Sequence, residues 1–331
     1  MRSNSHQPVW TLPVFATCIL LTLWLYVGIV LLGLLRNVAL LPVWVVLGSV
    51  AVPSGILLLI LRVRWQGPRT SSGKLARTIT PGYLLLAATA GGIVSIVIGG
   101  SLDALIQPTV PAGAIDDRVF LLVGFVEEAA KLGVVLAFGA RLSTKSVRDG
   151  LLLGASVGLG FATFEDMGYA MAPFLDHPFS SALLVHSGQI QLLRQLLTPF
   201  GHPLWSALLG AAVFASVRQG RYQLRPFAIL AYVAVAVTHG AWDGAVVLGP
   251  RVLGNVGYVV AHCVVWSLTV VGIVVVFRIL RNPRAKSTFP ADALTIGDHR
   301  DWSSRTGVGP SAGGGKPAHS AQSAGDAVAP R

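Results

Sequence analysis

The sequence predicts an all-α fold, a polytopic transmembrane bundle of about eight helices with both termini in the cytoplasm. Three observations predict it. First, 53% of the 331 residues are hydrophobic and only 12% are charged, which is too little charge to cover a water-soluble domain of this length. Second, the apolar residues come in runs of about 20, the length of helix that crosses a bilayer core of roughly 30 Å. Third, the Lys and Arg residues are concentrated in alternate connections between those runs.

The predicted helices occupy eight apolar runs, at residues 13–35, 38–61, 82–106, 119–140, 150–172, 196–217, 226–249 and 255–280. They divide the chain into a cytoplasmic N-terminus at 1–12, a transmembrane helical domain at 13–282 and a tail at 283–331. The tail is rich in Gly, Ser, Ala and Pro without a periodic apolar pattern, so we expect it to be disordered in the cytoplasm. Residues 183–197 are apolar on one side and nearly uncharged, which predicts a helix lying in the outer membrane surface or a loop.

The orientation follows from the distribution of positive charge. Segments on one side, including both termini, hold 20 of the 25 Lys and Arg residues, and the connections on the other side hold four. Positively charged loops stay in the cytoplasm, so both termini are predicted there. The net charge of +11 has the same explanation, because these basic residues orient the chain in the membrane and attract anionic lipid headgroups. We therefore expect the lipid bilayer, and no nucleic acid, to be the partner of these charges.

Ionisable groups inside four of the predicted helices carry the functional signal, because each charge in hydrocarbon costs roughly 3 kcal/mol on insertion scales. The fourth helix contains Glu127, Glu128 and Lys131, and their spacing lets Lys131 reach either carboxylate along one face. One lysine cannot neutralise two carboxylates, so either one glutamate is protonated or another cation serves it. A carboxylate in that situation suits a general base that activates water. The structural alternative is an ion pair that joins helices.

Glu165, in the fifth helix, is predicted to lie inside the bundle. Gly150, Gly154 and Gly158 precede it at one-turn spacing, and such a stripe of small residues permits close helix packing. Asp166 follows on a different face. A structural alternative, an acid near the outer interface, fits Asp166 better than it fits Glu165.

Histidines supply the remaining candidates. His202 stands at the start of the sixth run, and the Thr-Pro pair at 198–199 predicts that a helix begins or bends just before it. His239 and Asp243 are four residues apart on one face of the seventh helix. Such a pair supplies two metal ligands, or one histidine whose tautomer is fixed by a carboxylate, or a structural hydrogen bond. His262 falls at a similar depth but has no acidic neighbour in sequence, which makes it a secondary candidate.

Depth connects these groups. Counted from the outer end of each helix at 1.5 Å per residue, the acids and imidazoles lie in one layer about 9–15 Å below the outer surface. Helices that run in opposite directions place them at this common level. The sequence therefore predicts a single site near the outer face of the membrane.

The groups form motifs that stand in order in four separate predicted helices: Glu127-Glu128-x-x-Lys131, Phe161-x-x-x-Glu165, GHPLW with His202, and His239-x-x-x-Asp243. In order and spacing they resemble the PrsW family of bacterial intramembrane proteases, which is distantly related to the CAAX prenyl endopeptidases. The resemblance covers residues 119–249, the predicted catalytic core. It implies an endopeptidase of the bacterial plasma membrane that acts on membrane-embedded proteins, an anti-sigma factor or another regulatory membrane protein among them.

The resemblance carries over six active-site positions, and Lys131 joins them as the partner of the glutamates: Glu127, Glu128, Glu165, His202, His239 and Asp243. Two mechanisms remain open, each with Glu127 or Glu128 as the base. In one, His202 and His239 bind a divalent metal, zinc first, together with Asp243 or Glu165. In the other there is no metal, and the histidines stabilise the oxyanion. The sequence contains no HExxH motif that would decide.

Two other functions fit the same residues. A proton- or ion-coupled transporter also places carboxylates and histidines at membrane depth, but it needs a polar path through both leaflets, and the inner halves of these helices are apolar, as at 151–157. A catalytically inactive membrane scaffold would retain the same motifs. The sequence does not indicate the substrate, the cleavage position or the oligomeric state.

Overall fold

The computed structural model describes the chain over residues 10–62, 79–106, 117–143, 145–175 and 177–282. Most of the predicted N-terminal segment and the whole tail at 283–331 lie outside these ranges, so the disorder and the cytoplasmic position proposed for the tail stay predictions. Within the ranges the chain is helical and contains no strand.

Nine α-helices follow one another in this part of the chain. They are α1 (Thr11–Tyr26), α2 (Leu41–Arg62), α3 (Pro81–Leu86), α4 (Gly92–Ile106), α5 (Asp117–Ala140), α6 (Val147–Met171), α7 (Ser181–Leu197), α8 (His202–Ala215) and α9 (Pro226–Arg281). π-helical turns extend α1 over Val27–Leu34 and join α3 to α4 over Ala87–Gly91. α9 breaks at Leu253 and Gly254, where Gly254 has a φ of 60°, a backbone conformation that favours glycine. The break divides α9 into two arms, as the separate runs at 226–249 and 255–280 predict.

Seven helical segments of the described chain are long and apolar enough to cross a membrane. α5 is not among them, because Glu127, Glu128 and Lys131 lie within its 24 residues. α5 nevertheless packs among α4, α6, α8 and α9, so its charged side chains have protein rather than lipid around them. With α5 included, the predicted all-α bundle of about eight spanning segments is confirmed.

α7 shows that the loop interpretation of residues 183–197 is wrong. The segment is helical and packs against α2 and α6. Its buried Gln191 accepts a hydrogen bond from Nε1 of Trp24 at 2.9 Å and donates through Nε2 to the carbonyl oxygen of Val45 at 2.8 Å. Gln195 likewise accepts a hydrogen bond from an α2 backbone N–H. Polar groups at membrane depth need such partners, so α7 is fastened to α1 and α2 by its own side chains.

α6 and α8 cross at backbone contact, which confirms the glycine stripe predicted before Glu165. A Cβ atom at Gly154 would overlap the carbonyl oxygen of Ser206, and one at Gly158 would overlap that of His202. Only glycine permits this approach. The crossing sets the distance between Glu165 on α6 and His202 on α8.

Replacing Gly154 by alanine should therefore destabilise the protein by about 1–3 kcal/mol, the usual cost of overpacking against atoms that cannot move. The measurement is the midpoint of thermal unfolding in detergent. Gly168→Ala is the matched control on the same helix, because in the described part of the chain no atom outside the adjacent backbone lies within 4 Å of a Cβ at Gly168. Both variants share the gain in helix propensity. Equal unfolding midpoints for the two variants would contradict the prediction.

Candidate active site

The centre of the site is Lys131, which is fully buried on α5. Its Nζ donates to Oε1 of Glu128 at 2.7 Å and lies 3.5 Å from Oε2 of Glu127. The same ammonium stands 3.9 Å from the centroid of the Phe161 ring, a distance typical of a cation–π contact. Lys131 thus reaches both carboxylates, as their spacing predicts, but it contacts Glu128 much more closely.

His202, the first residue of α8, links α5 to α6. Its Nδ1 lies 2.8 Å from Nζ of Lys131, and its Nε2 lies 2.9 Å from Oε2 of Glu165. An ammonium group only donates, so Nδ1 accepts from it and the N–H at Nε2 donates to the carboxylate. This network assigns the tautomer of His202. The helix begins at His202, which confirms the start predicted from the Thr-Pro pair.

α9 brings His239 and Asp243 to the same place. α9 approaches α5 at backbone distance, because a Cβ at Gly124 would overlap the carbonyl oxygen of Ala236. His239 is fully buried: Nδ1 lies 3.0 Å from Oε1 of Glu128, and Nε2 lies 3.2 Å from Oδ2 of Asp243. Neither contact has the angle of a good hydrogen bond, so within the described residues both ring nitrogens lack a hydrogen-bond partner.

Arg194 on α7 closes the site on the α6 side. Its Nη2 lies 2.5 Å from Oε2 of Glu165, its Nε bonds to Asp166, and its guanidinium lies over the ring of Tyr169. Asp166 is only 2% exposed and also accepts from Nε2 of Gln195 at 2.9 Å. Asp166 is therefore a buried member of the cluster that α7 covers, and its position near the outer interface stays a prediction.

From the sequence, Arg194 is only one of the four positive charges on the outer side. A single arginine in a nearly uncharged amphipathic segment is the signal that could have found it, since such a charge needs a partner.

Asp103 on α4 is a further acid of the cluster, and it is not among the residues predicted from the sequence. Asp103 is 9% exposed, and its Oδ1 has no hydrogen-bond partner among the described residues. Its helix passes beside Glu127, because a Cβ at Gly99, one turn earlier, would lie 3.5 Å from Cγ of that glutamate. The available signal was an acid inside the apolar run at 82–106, but it stands near the end of that run, where an interfacial acid is ordinary. The ionisable cluster thus draws on six helices rather than the predicted four.

The structure brings all seven predicted residues into one chain of contacts. His262 is not part of that chain of contacts. Its Nδ1 lies 2.7 Å from the carbonyl oxygen of Tyr258, one turn earlier on its own helix. The roles of the seven residues remain predictions that the proposed function below takes up.

The cluster holds more negative than positive charge. Among the described residues, six carboxyl groups lie together with two permanent cations, Lys131 and Arg194. The acids are Asp103, Glu127, Glu128, Glu165, Asp166 and Asp243. Such an excess in a low-dielectric interior requires bound protons, charged imidazoles or an added cation.

The donor set fits a divalent metal ion. Glu127, His202 and His239 are buried and offer ligand atoms within 4.8 Å of one another. Two imidazoles and one glutamate are the ligands of catalytic zinc in several peptidases, and the unpartnered nitrogens of His239 suit such a role. His202 would have to exchange one of its two hydrogen bonds for a bond to the metal. This set differs from the predicted one, in which Asp243 or Glu165 is the carboxylate ligand: Glu165 is paired with Arg194, and the side chain of Asp243 is 36% exposed.

Comparison with known proteins gives one family. The family model described as PrsW family intramembrane metalloprotease matches residues 80–277, a wider stretch than the predicted core and one that includes α4. A curated relative, Protease PrsW of Shouchella clausii (strain KSM-K16), is 23% identical over 171 residues, which are 50% of this chain and 68% of the relative. No solved structure matches significantly.

Proposed function

The chain belongs to the PrsW family of intramembrane metalloproteases, and from this premise we propose that the cluster around Lys131 hydrolyses a peptide bond of a membrane-embedded protein. Family membership makes the chain a peptidase and a multi-pass integral membrane protein, in place of the transporter interpretation. The observation that carries the proposal about the site is the convergence of Glu127, Glu128, His202 and His239 from three helices within hydrogen-bonding or ligand distance.

We assign the role of general base to Glu128. Its Oε1 is held by Lys131, whereas its buried Oε2 has no hydrogen-bond partner in the described part of the chain. That second oxygen is free to accept a proton from water. The ion pair with Lys131 keeps the carboxylate ionised and fixes its direction.

The reaction then balances with one proton carrier. Glu128 takes a proton from water while the water oxygen forms a bond to the scissile carbonyl carbon. As the carbon–nitrogen bond breaks, the proton passes from Glu128 to the leaving amine. His202 and His239 lie next to the Glu128–Lys131 pair, and Oδ2 of Asp243 lies 3.2 Å from Nε2 of His239.

Glu127, His202 and His239 would hold the metal in this scheme. A bound divalent ion supplies Lewis-acid activation of the water and of the scissile carbonyl. The charge excess of the cluster supports this assignment, because an added cation offsets it.

A small cavity lies beside the cluster. Its lining includes His202, Asp243, Arg194, Trp205 and Trp242. Glu128 and His239 are fully buried, and a buried environment of this kind strengthens electrostatic interactions between reacting groups.

The test is cleavage by the purified chain in proteoliposomes containing a panel of tagged single-span membrane proteins. We expect cleavage within or next to the span of at least one of them, a loss of more than about tenfold on chelation of divalent ions, and recovery with added Zn²⁺. A folded protein that cleaves none of the panel would contradict the proposed activity. Cleavage that resists the chelator would contradict the metal alone and favour the histidine-stabilised mechanism.

A further inference from the structure

Arg194 lies at the edge of the proposed site but has no part in the mechanism derived above. Its Nη2 lies 2.5 Å from Oε2 of Glu165, its Nε bonds to Oδ1 of Asp166, and its guanidinium carbon lies 4.1 Å from the centroid of the Tyr169 ring. All three partners stand within two turns of α6. Two directed bonds and one stacked face fix the guanidinium, because its donors form a rigid planar fork.

The oxygen of Glu165 that meets Arg194 also meets His202. Oε2 of Glu165 lies 2.9 Å from Nε2 of the imidazole, whereas the opposite ring nitrogen, Nδ1, lies 2.8 Å from Nζ of Lys131. A glutamate side chain has three rotatable bonds, so the contact with the imidazole alone leaves the carboxylate with rotational freedom. The bond from Arg194 removes that freedom, and it thereby fixes the direction in which His202 donates its N–H.

We propose that Arg194 is a positioning residue, which acts through Glu165 to hold the ring of His202 with Nε2 on the acid and Nδ1 toward Lys131. The inference rests on the proposed function, in which His202 belongs to the ligand set. A metal-binding histidine commonly donates its second ring N–H to a carboxylate, and loss of such a partner costs about 10–100-fold in metal affinity or activity. Glu165 is that carboxylate, and Arg194 holds it.

Joining α7 to α6 is the structural alternative for Arg194. α7 has other attachments: the hydroxyl of Ser187 donates to the carbonyl oxygen of Ala170 on α6 at 2.6 Å, and the buried Gln191 bonds to α1 and α2. If Arg194 only joined helices, its removal would lower stability and leave the ring of His202, the metal affinity and kcat of the folded protein unchanged. Positioning predicts a change in all three.

The experiment compares Arg194→Ala and Arg194→Lys with the wild type. Lysine keeps the positive charge and a donor but lacks the planar fork that contacts two adjacent acids. Gln191→Ala is the matched control, because it removes a different buried attachment of α7, one whose hydrogen bonds go to α1 and α2. The readouts are the ¹⁵N NMR signals of the His202 ring and the unfolding midpoint in detergent, Zn²⁺ affinity in competition with a chelating dye, and kcat and KM in proteoliposomes.

The wild type should carry the ring proton of His202 on Nε2. Arg194→Ala should shift that proton away from Nε2, weaken Zn²⁺ binding by about 10–100-fold and lower kcat with little change in KM. Arg194→Lys should show a smaller but measurable loss, because a single ammonium does not replace the two-point hold. Gln191→Ala should lower the unfolding midpoint and leave the other readouts unchanged.

Folded Arg194→Ala with the His202 signals, Zn²⁺ affinity and kcat of the wild type would overturn the proposal. A comparable loss in Gln191→Ala would also overturn it, because loosening of α7 would then explain both variants. A higher KM with unchanged kcat would overturn it by making Arg194 a substrate contact. If the alanine variant does not fold, Arg194→Lys decides through the same readouts, and wild-type values in that variant overturn the proposal.

A double-mutant cycle tests whether the effect of Arg194 passes through Glu165. Residues in one hydrogen-bond network do not contribute independently. In a Glu165→Gln background, Arg194→Ala should therefore reduce kcat by a smaller factor than it does in the wild type. Equal factors in the two backgrounds would show that Arg194 acts without Glu165 and would overturn the proposal.

The wild type separates this inference from the proposed function. If the wild type neither binds Zn²⁺ nor cleaves, the proposed function fails, and the ¹⁵N signals of His202 alone decide whether Arg194 holds the ring. If it cleaves without metal, those signals and kcat decide, and unchanged values in Arg194→Ala overturn the inference.

Discussion

Glu128→Gln is expected to lower kcat for cleavage by about 10²–10⁴-fold, the contribution of a general base, while Zn²⁺ remains bound. Glutamine keeps the size of the side chain and accepts a hydrogen bond from Lys131 through its amide oxygen. It cannot take a proton from water at the position of the unpartnered Oε2. The effect therefore falls on chemistry rather than on metal binding.

Glu127→Gln is the comparison variant that distinguishes loss of the general base from loss of a metal ligand. The two residues are adjacent on α5, but we place only Glu127 in the ligand set with His202 and His239. Glu127→Gln should lose both Zn²⁺ and cleavage, whereas Glu128→Gln should lose cleavage alone. Cleavage by Glu128→Gln within tenfold of the wild type would remove Glu128 as the base, and the opposite pattern of Zn²⁺ retention would exchange the two roles.

His239→Ala should abolish Zn²⁺ binding and reduce cleavage by more than about 100-fold, beyond the loss of an outer-sphere partner alone. His239 is fully buried and lies within 3.5 Å of Glu127, Glu128 and Asp243. Its removal deletes a ligand and leaves three acids without the imidazole between them. The measurements are bound Zn²⁺ and initial rates in proteoliposomes.

His262→Ala is the control for a histidine in the other arm of α9. Among the described residues, its imidazole bonds only to its own helix at Tyr258, so its removal should leave Zn²⁺ binding and cleavage unchanged. Comparable losses in both variants would mean that the effect of His239→Ala reflects damage to α9 and not to the site. Retention of cleavage by His239→Ala would contradict its role.

The parts of the fold that follow from bilayer thickness could be predicted from the sequence. A helix of about 20 residues is needed to cross the hydrocarbon core, so run length alone locates the spans, including the break at Gly254. Contacts within one helix could also be predicted. The i,i+4 and i,i+3 spacing of Lys131 from Glu127 and Glu128 places these side chains on one helical face. The glycine stripe at 150–158 also predicts that another helix packs closely against this face, because small residues at one-turn spacing permit that approach.

Contacts between distant helices could not be predicted in this way. Arg194 meets Glu165 and Asp166 because α7 folds back over α6, and no spacing in the sequence encodes that return. Asp103 lies on α4, which passes beside Glu127 of α5 at Gly99. The choice of Glu127 over Asp243 or Glu165 in the candidate metal set depends on side-chain directions, which only the packed bundle determines.

The burial of charge in α5 has a consequence for how the protein is made. α5 carries three ionisable residues within two turns. Each of them, when charged, raises the free energy of membrane insertion by roughly 3 kcal/mol. Their partners, His202 and His239, are synthesised later, on α8 and α9. α5 therefore gains its stability in lipid only after the chain that follows has left the ribosome. A nascent protein interrupted before α9 would lack the imidazole of His239 beside Glu128, so the ionisable residues of α5 have all their partners only in the completed bundle.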